Sequence, residues 1–101
     1  MIETEEYIVR VVRLTFNEES IKAFHELYLK HEEAIASQPG CYSVELVEDA
    51  SNPYIKATIS KWSNEESLNR YRDSELFGVV WPATKALFEA KPEVWTYKAR
   101  R

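Results

Sequence analysis

With 101 residues, 45% of them aliphatic or aromatic, and only 2 glycines and 4 prolines, the chain is too short for two ordinary domains and too apolar for disorder. Its 17 acids outnumber its 13 lysines and arginines, and the formal charge of -4 is the wrong sign for a surface that tracks nucleic-acid phosphates. One cysteine excludes an internal disulfide, and nothing approaches the run of about 20 apolar residues that a membrane span needs.

The first residues are acidic at Glu3, Glu5 and Glu6, where a signal peptide would carry positive charge before an apolar run. The basic group Lys98, Arg100 and Arg101 is too short to bind nucleic acid. The expectation is a single domain over residues 1–101, cytoplasmic, with neither nucleic acid nor membrane as a partner.

Residues 7–16 are rich in β-branched and aromatic side chains and read as a first strand. Apolar residues occupy both faces: Ile8, Val12, Leu14 and Phe16 on one, Tyr7, Val9 and Val11 on the other. A strand with one wet face would alternate more cleanly, so this sheet is expected to be covered twice. Asn17 suits a helix N-cap, and Ile21, Phe24, Leu27, Tyr28, His31 and Ile35 recur at helical spacing until Pro39-Gly40 stops the pattern.

Residues 41–49 and 54–62 are two further strand patterns, and the turn-forming residues 50–53 join them as a hairpin. Ser63 and Glu66 have the spacing of a capping box, which starts a second helix running to about Arg72. Asp73 or Ser74 can cap a third helical stretch carrying Leu76, Phe77, Val80, Leu87 and Phe88. Pro82 removes the amide that would bond the Gly78 carbonyl, so a kink or a fresh helix is expected there. Residues 94–98 read as the last strand.

The order βαββαβ is the ferredoxin-like α+β arrangement, a four-stranded antiparallel sheet with its helices on one face. Val9, Val11, Trp62, Trp95 and Tyr97 cannot all point toward the helices, so the other face needs a cover. The simplest cover is a second copy, which predicts a homodimer.

Chemistry-bearing groups are few. His25 and His31 are six residues apart on one helix and so lie on opposite faces, with no acid or cysteine cluster beside them; no metal site is expected. His31 shares the apolar stripe, where it is either a core or rim histidine or the base or hydrogen-bond partner of a pocket. No Gly-x-Ser-x-Gly elbow and no glycine-rich phosphate loop exists, and Cys41 reads as buried filler. Arg10 and Arg13 lie on opposite strand faces. Each is open to two readings: an ion pair with Glu45 or Glu48, or an anion hook for a phenolate or carboxylate. The aromatics supply core, and Trp81 and Tyr71 are equally placed to line an apolar pocket.

Pro39-Gly40-Cys41 opening the second strand, the run from Ser60 through Trp62 to Glu66, and Ser74-Glu-Leu-Phe77 resemble the antibiotic biosynthesis monooxygenase family, from about Ile8 to Tyr97. The resemblance implies a dimeric α+β barrel in which two ferredoxin-like sheets face each other and each subunit keeps a pocket between sheet and helices. It also implies chemistry without a cofactor, since some members oxygenate polycyclic phenols with neither metal nor flavin, the substrate anion itself reducing dioxygen.

Other members cleave haem, with an asparagine, a tryptophan and an iron-binding histidine at places held here by Val12, Tyr71 and Trp81. An indole is a donor only, which disfavours that activity. The phenol-oxygenating members pair a tryptophan with an asparagine and a tyrosine; here Trp62 matches, while Thr58 and Leu68 hold the other two places. The resemblance thus implies a monooxygenase acting on a small aromatic or quinol-like compound. Trp62, Tyr71 and Trp81 would clamp the ring, Arg13 would hook an anion, and His31 or Thr58 would hydrogen-bond the reacting oxygen. The alternative is a small-molecule binding or scaffold protein with the same pocket and no turnover.

Overall fold

The computed structural model describes residues 5–100. Residues 1–4 of the acidic start and Arg101 of the basic end lie outside them. The element order is β1 (Glu6–Thr15), α1 (Ile21–Ala36), β2 (Cys41–Glu48), β3 (Ile55–Trp62), α2 (Glu65–Arg72), α3 (Glu75–Lys85) and β4 (Glu93–Arg100). The strands form one antiparallel sheet in the order β2-β3-β1-β4, which is the ferredoxin-like arrangement. Among the described residues no helix is long and apolar enough to cross a membrane.

Strand parity decides what meets the helices. Ile8, Leu14 and Phe16 are buried, and two clusters grow from them: Leu14 and Phe16 with Phe24 and Tyr28 of α1, and Ile8 with Trp62 and Leu68 of α2. Val9 and Val11 therefore point to the other face. Cross-strand register carries the same division through the sheet, because Val12 lies opposite Thr58 and Val94, and Arg10 opposite Ser60 and Thr96. Trp62 pairs with Ile8 and turns to the helices, where it is 0% exposed. Lys56, 5% exposed on the same face, pairs with Glu48 directly opposite on β2.

Local chemistry shifts three of the expected boundaries. Asn17 and Ser20 exchange bonds, the Ser20 amide donating to Asn17 Oδ1 at 2.8 Å and the Asn17 amide to Ser20 Oγ at 3.1 Å. This pair closes a turn, and α1 proper begins after it at Ile21. The cap of α2 is Asn64 and not Ser63: Asn64 Oδ1 accepts from the Ser67 amide at 2.8 Å, while the Ser63 hydroxyl turns to the Ser67 hydroxyl. The helix α3 runs unbroken through Pro82. Its lost hydrogen bond falls on the carbonyl of Gly78, an exposed residue without a side chain, so water can take the donor's place.

Gly40 is required where it stands. Its φ of +82° suits glycine, and a Cβ there would lie 2.2 Å from Ser67 Oγ. The turn between β2 and β3 is organised by Asp49, whose Oδ1 accepts from the amides of Ser51 and Asn52 at 2.8 and 3.1 Å. Those amides, led by Ser51, and the Arg13 guanidinium hold its carboxyl below the usual carboxylate range.

Candidate functional site

A cavity of about 320 Å³ lies between the helix-facing side of the sheet and the three helices. Its floor is built from Val12, Thr58 and Val94, which form one cross-strand row, with Leu14 and Arg10 on either side along β1. Its roof comes from Phe24, Tyr28 and Ile35 of α1, Leu68 and Tyr71 of α2, and Phe77, Val80 and Trp81 of α3. Arg72, in the last turn of α2, completes the polar end.

The walls hold together through a chain of ring contacts. Trp62 stacks on Tyr71 at 5.2 Å, Tyr71 meets Phe77 edge-on at 5.3 Å, and Phe77 stacks on Trp81 at 5.8 Å. Trp81 then meets Phe88 edge-on, Phe88 touches Phe16, and Phe16 stacks on Phe24 at 4.3 Å. Trp81 thus both packs against the core and lines the cavity. Each such pair adds about 0.5–1.5 kcal/mol beyond area burial, so the cavity wall is part of the fold's own stability.

The expected site residues separate into three groups. Thr58, Tyr71 and Trp81 come together in the lining. Trp62 stands behind it, its Nε1 donating to Ser60 Oγ at 2.9 Å and its ring supporting Tyr71. His31 and Arg13 are outside. His31 is half-buried on α1, and Arg13 lies on the opposite sheet face, where it pairs with Asp49 at 3.3 Å and Glu93 at 3.8 Å. Arg13 therefore takes the ion-pair reading, with partners other than the Glu45 and Glu48 expected.

Tyr28 and Arg72 are lining residues that the sequence did not mark for a site, and Arg10, open there to an ion-pair or an anion-hook reading, is a lining residue too. Parity could have found Arg10, since it shares the face of Ile8 and Leu14. Its guanidinium donates to Thr96 Oγ1 at 2.9 Å, and burial, with Arg72 adding, pushes its pKa down. Burial also pushes the Tyr71 phenol up to about 12, with Cys41 adding, so it stays a neutral donor. Tyr28 forms the wall between the cavity and a wider open groove of about 510 Å³ along α1 and β2. Its hydroxyl is buried without a hydrogen-bond partner among the described residues. Burial, with the Glu32 and Glu45 carboxylates of that groove, raises its pKa.

No carboxylate and no imidazole among the described residues belongs to the cavity lining. Among the described residues no three His, Cys, Asp or Glu side chains gather into a group that could hold a metal ion. The arrangement can hold a flat apolar ring, offer it the hydroxyls of Thr58 and Tyr71, and place it beside positive charge.

Residues 7–80 match the family described as antibiotic biosynthesis monooxygenase. A solved structure described as a conserved protein from Methanosarcina mazei Go1 is similar at 22% identity and a TM-score of 0.88, covering 92% of each chain. Rv0793 from Mycobacterium tuberculosis is similar at 15% identity and a TM-score of 0.83, covering 90% of this chain and 92% of its own. A structure described as an antibiotic biosynthesis monooxygenase shares 21% identity at a TM-score of 0.84, covering 91% of this chain and 97% of its own. No curated protein matches the sequence.

Proposed function

Because the chain belongs to the antibiotic biosynthesis monooxygenase family, we propose that its cavity hosts a cofactor-independent monooxygenation of a small aromatic or quinol-like compound and that the chain works as a homodimer. The observation that carries the reading is the aromatic cavity, closed by rings on three helices and reached by few polar groups. That is the design of a site that binds a flat apolar substrate and orients it with a small number of hydrogen bonds.

In the reaction a ring methylene becomes a ketone. One oxygen atom of dioxygen enters the product, and the other leaves as water with the two hydrogens of the methylene. The substrate, as its anion, supplies the electrons. Tyr71, Phe77 and Trp81 hold the ring, and the Thr58 hydroxyl donates to the oxygen on which charge develops. Excluding water from this apolar space strengthens that bond.

Oxygen uptake against a panel of anthrones and quinols, with chelator present and no flavin added, tests the reading. One dioxygen consumed per ketone formed is expected, and Thr58→Val should lower kcat by about 10- to 100-fold. Binding without turnover is the second reading, and the lining favours it in one respect: among the described residues no imidazole or carboxylate is there to take the substrate's proton. Saturable binding with no oxygen uptake across the panel would select it.

A further inference from the structure

The cavity lining carries two positive charges and, among the described residues, no negative one. Arg10 reaches it from the helix-facing side of β1 and Arg72 from the last turn of α2. Four cations elsewhere are paired: Arg13 with Asp49, Lys56 with Glu48, Arg70 with Glu66 and Arg100 with Glu6. Neither Arg10 nor Arg72 has an acidic partner among the described residues, in a chain whose acids outnumber its lysines and arginines. Arg10 and Arg72 line the same cavity, Arg72 from the exposed helix end, and an anion held between two guanidiniums is favoured by both charges.

The kind of anion follows from shape. A guanidinium presents parallel N–H groups that match two oxygens of one planar group, and two such forks suit a carboxylate better than the single oxygen of a phenolate. The volume of about 320 Å³ lies at the small end of ligand pockets and suits a small fused-ring compound. Building on the proposal that the cavity binds a flat ring, we infer that its ligand is an aromatic carboxylate, the ring against Phe77 and Trp81 and the carboxylate between Arg10 and Arg72. The carboxylate is a handle separate from the reacting carbon, and the two arginines determine specificity.

Tryptophan-fluorescence titration of the intact chain at neutral pH and low salt tests this with three probes: 2-naphthoate, its neutral isostere 2-naphthamide, and the anion of 2-hydroxy-1,4-naphthoquinone. 2-Naphthoate should bind most tightly. Arg72→Gln, on an exposed helix end where folding is not at risk, and Arg10→Gln should each weaken 2-naphthoate by about 10- to 100-fold and leave 2-naphthamide within about threefold. Equal affinity for 2-naphthoate and 2-naphthamide, or a 2-naphthoate affinity indifferent to Arg72→Gln, overturns the inference while the cavity reading stands. Tighter binding of the hydroxyquinone anion replaces the carboxylate with a ring oxygen. Failure of all three probes to bind overturns the cavity reading and the inference together.

Discussion

Trp62 and Tyr71 lie in contact, and their polar atoms have different neighbours. The Trp62 indole is fully enclosed and its N–H is satisfied by Ser60, so it contributes packing and support. Tyr71 covers it on the cavity side and keeps a phenol whose pKa stands at about 12 against an ordinary 10.0. The folded chain thus holds this proton over a range in which the unfolded chain has lost it. Its contribution to stability is complete below pH 10.0 and disappears as pH rises through about 12. Tyr28, whose pKa is also raised, acts in the same direction. In Tyr71→Phe the loss of stability over this interval should be shallower than in the parent, measured as the urea midpoint at successive pH values. An unchanged slope would mean that the phenol is hydrated in the folded chain. The arginines teach a related lesson: alternation shows that Arg10 and Arg13 face opposite ways, but which face the helices cover depends on Ile8, Leu14 and Phe16 winning burial over Val9 and Val11.

The helix α3 tolerates its proline at a cost that can be recovered. Ser74 caps it, with Oγ accepting from the Phe77 amide at 3.2 Å, and the Thr84 hydroxyl donates to the Val80 carbonyl at 2.7 Å. Pro82 is exposed and so contributes little packing, while it deprives the Gly78 carbonyl of its donor. Pro82→Ala should therefore stabilise the chain by about 1–3 kcal/mol, seen as a higher thermal midpoint, with Trp81 still against Phe77. A lower midpoint would show that the proline fixes the path of the helix. The sequence made α3 legible through Ser74 and its apolar spacing, but not its continuity, because the penalty at Pro82 depends on whether the orphaned carbonyl meets water. The choice between Ser63 and Asn64 as cap was equally local: both residue types suit, and Ser63 is drawn instead to the Ser67 hydroxyl near Gly40. Element order, strand parity and the hairpin were legible because they follow from periodicity and turn chemistry over many residues. The cavity was legible in its aromatics and Thr58, and only in part in its arginines, since which of Arg10 and Arg13 faces it follows once the sheet's covered face is known.

All three helices pack on one side of the sheet, and the other side presents Val9 and Val11 beside Ile59, Tyr97 at 54% exposure and Trp95 at 39%. The shape follows: the radius of gyration is 14.3 Å, above the about 13 Å expected of a compact chain this long, and the smallest dimension is only 20 Å. In the proposed homodimer the bare apolar sheet would face a second copy, a two-fold axis setting Val11 and Trp95 of each against the same patch of the other. Light scattering on the intact chain at micromolar concentration should return twice the monomer mass. Val11 sits at the centre of the patch, between Ile59 and Trp95 in the register, so Val11→Lys places a charge where the two sheets meet and should shift the mass to that of one chain. Its side chain points away from the cavity, so 2-naphthoate affinity in the monomeric variant should stay within about twofold of the parent. A parent chain that is monomeric at that concentration would refute the dimer. A large loss of 2-naphthoate affinity in a folded Val11→Lys monomer would instead show that pairing of the sheets holds the cavity in shape.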